Sequence, residues 1–215
     1  MAKPTAPLLS FGASGTIAKT MVFSKWKGRP YVRRHVVPAN PRTVEQLKTR
    51  DTFSSGSDTW KLAGPLLRAP WDRFAVGQVL AGRNKYIADW VTQNRGQTDL
   101  LSWFMSPGAK GGLPAASLVL TTVASLGIEA VIGAPALPTG WAITQAVAVA
   151  ILDQDPQTGT AFATVEGLDA LTPFQVDLVG LTAATWVVGA WFEFTKADLT
   201  IAFGVSLQDS ILVTV

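Results

Sequence analysis

The sequence predicts an α+β N-terminal module, built from a β-hairpin and short helices, followed by an all-β antiparallel sandwich. Three observations carry this. Charge is divided between the halves: residues 1–110 hold 17 Lys/Arg and 6 Asp/Glu, a net +11, whereas residues 111–215 hold 1 and 9, a net −8. Helical apolar periodicity occurs only in the first half. Past a Gly-rich break, short alternating runs separated by turn clusters take over.

The 215 residues are 48% hydrophobic and 15% charged, enough apolar material for a core and too little charge for global disorder. The absence of cysteine excludes disulfides, thiolate catalysis and Cys-based metal sites. Met-Ala-Lys-Pro-Thr-Ala-Pro carries no continuous apolar run after its charge, so no secretory signal is expected.

Residues 1–14 read as an extended arm, punctuated by Pro4, Pro7 and Gly12. Residues 15–105 form the basic module. Thr16–Ser24 and Tyr31–Val37 are rich in β-formers, with Lys25-Trp26-Lys27-Gly28-Arg29 between them, and Gly28 suits a positive φ; a β-hairpin is expected. Pro38-Ala39-Asn40-Pro41-Arg42-Thr43 ends it. The helix that follows has two candidate caps, Asn40 with Pro41 at N1, or Thr43 with Gln46 completing a capping box. Its expected end is about Phe53, where Ser54-Ser55-Gly56-Ser57 interrupts. Trp60 and Leu62 fall on a shorter piece. Pro70-Trp71 opens a second helix with Trp71, Phe74, Ala75 and Val79 on one face. Asn84 caps a third, striped by Tyr86, Ile87, Trp90 and Val91, and a last short helix includes Leu100, Leu101, Trp103 and Phe104. Trp60, Trp71, Tyr86 and Trp90 are expected to form the module's own core.

Residues 106–114, Gly- and Pro-rich, form the expected linker, and 115–215 the sandwich. Leu113–Leu137 is strongly apolar, with Glu129 its only charge. Pro114, Gly127, Gly133 and Pro135 break it, and Val119, Thr121 and Val123 favour strands, so two buried strands are expected rather than a membrane helix. Val147, Val149 and Ile151 alternate with Ala146, Ala148 and Ala150. Trp186, Val188, Ala190, Phe192 and Phe194 occupy one parity of a long strand; Val187, Gly189, Trp191 and Glu193 occupy the other. About seven strands at this spacing make an antiparallel sandwich.

No motif points to catalysis, and no enzyme, cofactor, metal site or small-molecule substrate is expected. His35 is the only histidine and has no carboxylate near it in sequence. Gly12-Ala13-Ser14-Gly15 with Lys19-Thr20 has the wrong spacing for a phosphate loop, and Asp153-Gln154-Asp155, even with Asp169, lacks the ligand spacing of a calcium loop. The cation-rich hairpin interleaves Arg29, Arg33 and Arg34 with Trp26 and Tyr31, and these five are the candidate partner-binding residues. Aromatics among cations suit either nucleic acid or an acidic protein surface.

The segment Gly180-Leu181-Thr182-Ala183-Ala184-Thr185-Trp186 resembles the fibronectin type III signature, in which Leu, three residues, Thr, one residue and an aromatic mark the corner into the sixth strand. Leu181 and Thr185 match, and Trp186 stands where Tyr is usual, so a hydroxyl-mediated corner is not expected. The resemblance implies an immunoglobulin-like sandwich over roughly residues 115–215, with Trp141 as a core Trp. Lys25-Trp26-Lys27-Gly28-Arg29, Tyr31-Val32-Arg33, Asn40-Pro41-Arg42-Thr43, Gln46, Arg50, Trp60, Trp71 and Asn84-Lys85-Tyr86-Ile87, taken in order, resemble a module of tailed-bacteriophage virion proteins. That resemblance implies a structural part of the particle, assembled in the host cytoplasm. A neck, collar, head–tail connector or tail site is favoured over capsid decoration. Other virion proteins and copies of itself in a ring or lattice would be its partners, with nucleic-acid contact through the basic half possible on charge grounds and no membrane partner. A nucleic-acid-binding module and a carbohydrate- or receptor-binding adhesin reading through aromatics such as Trp191 are the alternatives.

Overall fold

The computed structural model describes residues 14–99, 106–107 and 113–214, which fall into two compact units, Met1–Arg42 and Thr43–Val215. The expected arm before Ser14, the short helix at Leu100–Phe104 and residues 108–112 of the expected linker lie outside the described residues.

The first unit is a three-stranded antiparallel meander, β1 (Gly15–Ile17), β2 (Met21–Trp26) and β3 (Arg29–Arg34), in that order. A two-stranded hairpin was expected. An extra turn at Ala18-Lys19, both at positive φ (45° and 55°), divides its first strand. The second turn is only two residues long. Lys27 (φ 46°) and Gly28 (φ 80°) both take the left-handed conformation of a type I′ turn, whose twist matches that of the flanking strands. Trp26 and Arg29 therefore lie inside the ladder as partners, not in the loop. β3 ends at Arg34, three residues before the expected end.

In the second unit, helices α1 (Val44–Leu62), α2 (Pro65–Ala75) and α3 (Gly82–Asn94) precede the remaining strands. Thr43 is the cap of α1: its Oγ1 accepts from the Gln46 N–H at 3.4 Å. The helix does not stop at Phe53 but runs on through Ser54–Ser57. That stretch is small because it is packed: Gly56 lies against the Trp90 ring, where a Cβ would stand 2.5 Å from Cδ1. The buried Ser55 hydroxyl lies 2.8 Å from the Pro156 carbonyl oxygen and accepts from the Trp90 indole N–H at 3.2 Å. Thr59 Oγ1 accepts from the Phe162 N–H at 3.2 Å. Trp60 and Leu62 belong to the last turn of this same helix. α2 opens at Pro65, and Pro70 sits inside it rather than at its start. Val79 lies beyond the helix in an exposed loop. α3 is capped by Ala81 without a side-chain bond, and Asn84 sits in its first turn.

The eight remaining strands are β4 (Ser117–Val123), β5 (Gly127–Gly133), β6 (Trp141–Leu152), β7 (Thr164–Asp169), β8 (Phe174–Leu178), β9 (Thr185–Lys196), β10 (Ile201–Phe203) and β11 (Leu207–Leu212). The apolar stretch 113–137 thus supplies two strands; β5 is largely buried, but β4, expected to be buried too, has no buried residue and exposes Val119, because it is the edge strand of its sheet. One sheet has the order β4-β5-β8. The other has the order β7-β6-β9, with β10 and β11 sharing the far edge of β9. Three helices and eleven strands in three antiparallel sheets make the described chain mixed α+β, with a β-rich C-terminal part.

Two cores share the central sheet. Ala146, Ala148 and Ala150 of β6 and Val188, Ala190 and Phe192 of β9 meet Ile128, Ala130, Phe174 and Val176 of the β4-β5-β8 sheet. The opposite parity, Val147, Val149 and Ile151 with Val187 and Trp191, meets the helices through Trp60, Leu67, Trp71, Tyr86 and Trp90. The aromatic helix residues therefore do not close a core of their own. The compact units divide the chain at Arg42/Thr43 rather than at residues 106–114, because the second face of the central sheet is apolar and the helices bury it.

A sheet carboxylate secures one of those helices. Glu166 on β7 accepts from the Leu66 and Leu67 N–H groups at 3.0 and 3.1 Å, filling the free-donor end of α2 that Gly64 cannot cap. Glu166→Ala is expected to lower the unfolding free energy by about 1–2 kcal/mol, and Glu166→Gln by less, since its amide oxygen still accepts. Chemical denaturation followed by tryptophan fluorescence measures both; equal losses would mean that the cap is not the reason.

The corner into β9 is closed by an indole. Trp186 Nε1 donates to the Thr182 carbonyl oxygen at 3.0 Å, and Leu181 is buried beside it. The hydroxyl expected to be missing is replaced by a donor that needs only an acceptor. Trp141, expected in the core, lies partly buried at the start of β6; Trp186 and Trp191 are the fully enclosed tryptophans of β9.

Candidate interaction surface

The pairing register of the first unit assigns its side chains to two faces. Trp26 pairs with Arg29, Ser24 with Tyr31, and Val22 with both Arg33 and Thr16. Directly paired residues share a face and alternate along a strand. One face therefore carries Trp26, Arg29, Tyr31 and Arg33, four of the five candidate residues. Arg34 pairs with Met21 and stands on the other face, with Ile17, Phe23, Lys25 and Val32.

Both faces expose apolar side chains. Trp26 is 66% exposed, and Tyr31, Val32, Met21 and Ile17 are exposed as well; Phe23 is the single buried residue of the three strands. The Lys27 ammonium lies 4.9 Å from the centre of the Trp26 ring, a cation–π contact at an exposed site. Residues 14–42 contain seven Lys/Arg and no Asp or Glu, so no carboxylate of this segment neutralises the face.

Among the described residues β3 is an outer strand of its sheet. A two-residue turn makes its flanking pair, Trp26–Arg29, the hydrogen-bonded kind, and His35 N–H donating to the Thr20 carbonyl at 2.8 Å keeps the same phase. The N–H groups of Val32 and Arg34 consequently point away from β2. Pro30, at the equivalent position, has no donor to waste.

The other sequence candidates resolve differently. Lys19 lies in the β1–β2 turn and a strand, not a helix, follows it; Gly12 and Ala13 lie outside the described residues. Asp155 accepts from the Gln157 N–H at 2.8 Å within its own turn. Asp169 accepts from the Gln175 and Leu171 N–H groups, both at 3.0 Å, and these bonds hold its carboxyl below the usual carboxylate range. Among the described residues no group of three His, Asp or Glu is placed to hold a metal ion. No described helix is long and apolar enough to cross a membrane. Trp191, the aromatic expected to line a carbohydrate groove, is completely buried.

The sequence matches no protein-family model, and no curated protein is significantly similar to it.

Proposed function

We propose that the chain is a non-enzymatic structural component of a tailed-phage particle, at the neck, collar or tail, held in place by its basic N-terminal sheet. One observation carries the docking part: a three-stranded sheet of some twenty residues presents apolar and cationic side chains on both faces and buries only Phe23. A sheet this small gains little stability by itself. Exposing Trp26 and Tyr31 beside Arg29 and Arg33 makes sense where a partner covers them, since Trp, Tyr and Arg dominate interface energetics. The phage setting rests on the ordered resemblance of residues 25–87. An immunoglobulin-like reading of the C-terminal part is supported by the strand order, β4-β5-β8 facing β7-β6-β9-β11, and by the Trp186–Thr182 corner bond.

The double substitution Trp26→Ala with Arg33→Ala tests the docking. Particles assembled from co-expressed virion proteins and purified on a gradient are expected to contain roughly tenfold less of the variant, or none. The circular dichroism and thermal melt of the full chain should stay unchanged. Wild-type incorporation would end the proposal.

A further inference from the structure

The second unit carries a surface opposite in sign to the basic sheet. The outward face of the β4-β5-β8 sheet is laid out in rungs by its register. Thr121, Glu129 and Asp177 form one; Val119, Val131 and Gln175 form the next. Glu129 and Asp177 are direct cross-strand partners, an arrangement that is unfavourable for two like charges. The Gln175 amide donates to Glu129 at 2.9 Å, but no cation stands nearby in sequence: residues 113–195 contain seven Asp/Glu and no Lys or Arg. Val119 is 56% exposed on this face, and Asp177 is exposed as well.

We infer that this face receives the basic sheet of a second copy of the chain. Along β3, Arg33 and Tyr31 alternate at the two-residue strand repeat, about 7 Å. Along β5, Glu129 and Val131 alternate at the same repeat. A guanidinium can therefore meet the carboxylate pair with planar, charge-assisted hydrogen bonds, while the neighbouring phenol ring covers Val131 and Val119. The docked Arg relieves the Glu129–Asp177 repulsion, so the acidic face gains from being occupied. Nucleic acid would satisfy the cations but would leave the two opposed carboxylates uncompensated. The two surfaces are different patches of one chain, so their contact is head-to-tail and propagates into a ring or a filament. The inference rests on the docking reading above and supplies its partner: another copy.

Charge exchange tests this with the full chain. One variant carries Arg29→Glu and Arg33→Glu; the other carries Glu129→Lys and Asp177→Lys. Sedimentation of wild type across a concentration series at low salt is expected to show self-association that weakens as salt rises. Each variant alone, its surfaces now alike in sign, should associate at least roughly tenfold more weakly. An equimolar mixture should recover association, because the Glu-bearing face of one variant's sheet meets the Lys-bearing face of the other. The milder pair Glu129→Gln with Asp177→Asn should weaken wild-type association even if the Lys variant folds poorly. A wild-type monomer at every concentration, association indifferent to Glu129 and Asp177, or association only when DNA is added would each overturn the inference. If the mixture fails while Trp26→Ala with Arg33→Ala still abolishes incorporation, the partner is wrong and the docking reading stands.

Discussion

Trp191→Ala is expected to lower the unfolding free energy by about 3–5 kcal/mol, a large part of the 5–15 kcal/mol typical of a whole domain. The side chain is completely buried on the helix-facing side of β9, opposite Val147 on β6, in the core that also holds Trp60, Trp71, Tyr86 and Trp90. Its removal leaves a cavity that fixed aromatic neighbours cannot fill: Trp60 and Tyr86 pack at 4.9 Å between centroids, and Trp71 meets Tyr86 edge-on at 5.4 Å. Trp141→Ala, at the partly buried start of β6, should cost less than about 2 kcal/mol. Guanidinium denaturation monitored by far-ultraviolet circular dichroism compares the two. A loss below about 1 kcal/mol at Trp191 would mean that the helices are not held against the sheet.

Gly56→Ala should destabilise the chain by about 1–3 kcal/mol, against the usual sign. In a helix interior, Ala normally gains up to about 1 kcal/mol over Gly. Here the added methyl would lie 2.5 Å from Trp90 Cδ1 and 2.7 Å from Cγ. The ring cannot retreat, because Trp90 is completely buried, stacks on Tyr86 and packs 5.1 Å from Phe162. In a Trp90→Leu background the same substitution should approach neutrality or turn favourable. A stabilising Gly56→Ala in the otherwise wild-type chain would contradict the packing of α1 on α3.

Those two sites mark where local reading reaches its limit. Ser54-Ser55-Gly56-Ser57 has the composition of a helix end, because these residues gain little from a helix taken alone. The helix continues because Ser55, Gly56 and Thr59 form its buried face, with Trp90 and the segment from Pro156 to Phe162 as partners about 35 to 103 residues away. Pro70 likewise reads as a helix start, yet Pro65 and the Glu166 carboxylate begin α2 one and a half turns earlier. The β2–β3 hairpin was legible, since Gly28 and the flanking β-formers act over a few bonds, but the extra turn at Ala18-Lys19 and the shortness of the Lys27-Gly28 turn were not. The candidate face was legible in part: residue type singled out Trp26, Arg29, Tyr31, Arg33 and Arg34, but only the register separated Arg34 from the other four.

By itself the sequence determined what neighbouring residues decide: strand against helix period, a turn at Gly28, the absence of thiol chemistry and the separation of charge. It even displayed both apolar parities of β9, Trp186 to Phe194 on one side and Val187 and Trp191 on the other. Only the tertiary structure decided that the first parity closes against another sheet and the second against three helices. Burial is a property of pairs of surfaces, and the partner of each surface lies far along the chain, where no local period can point to it.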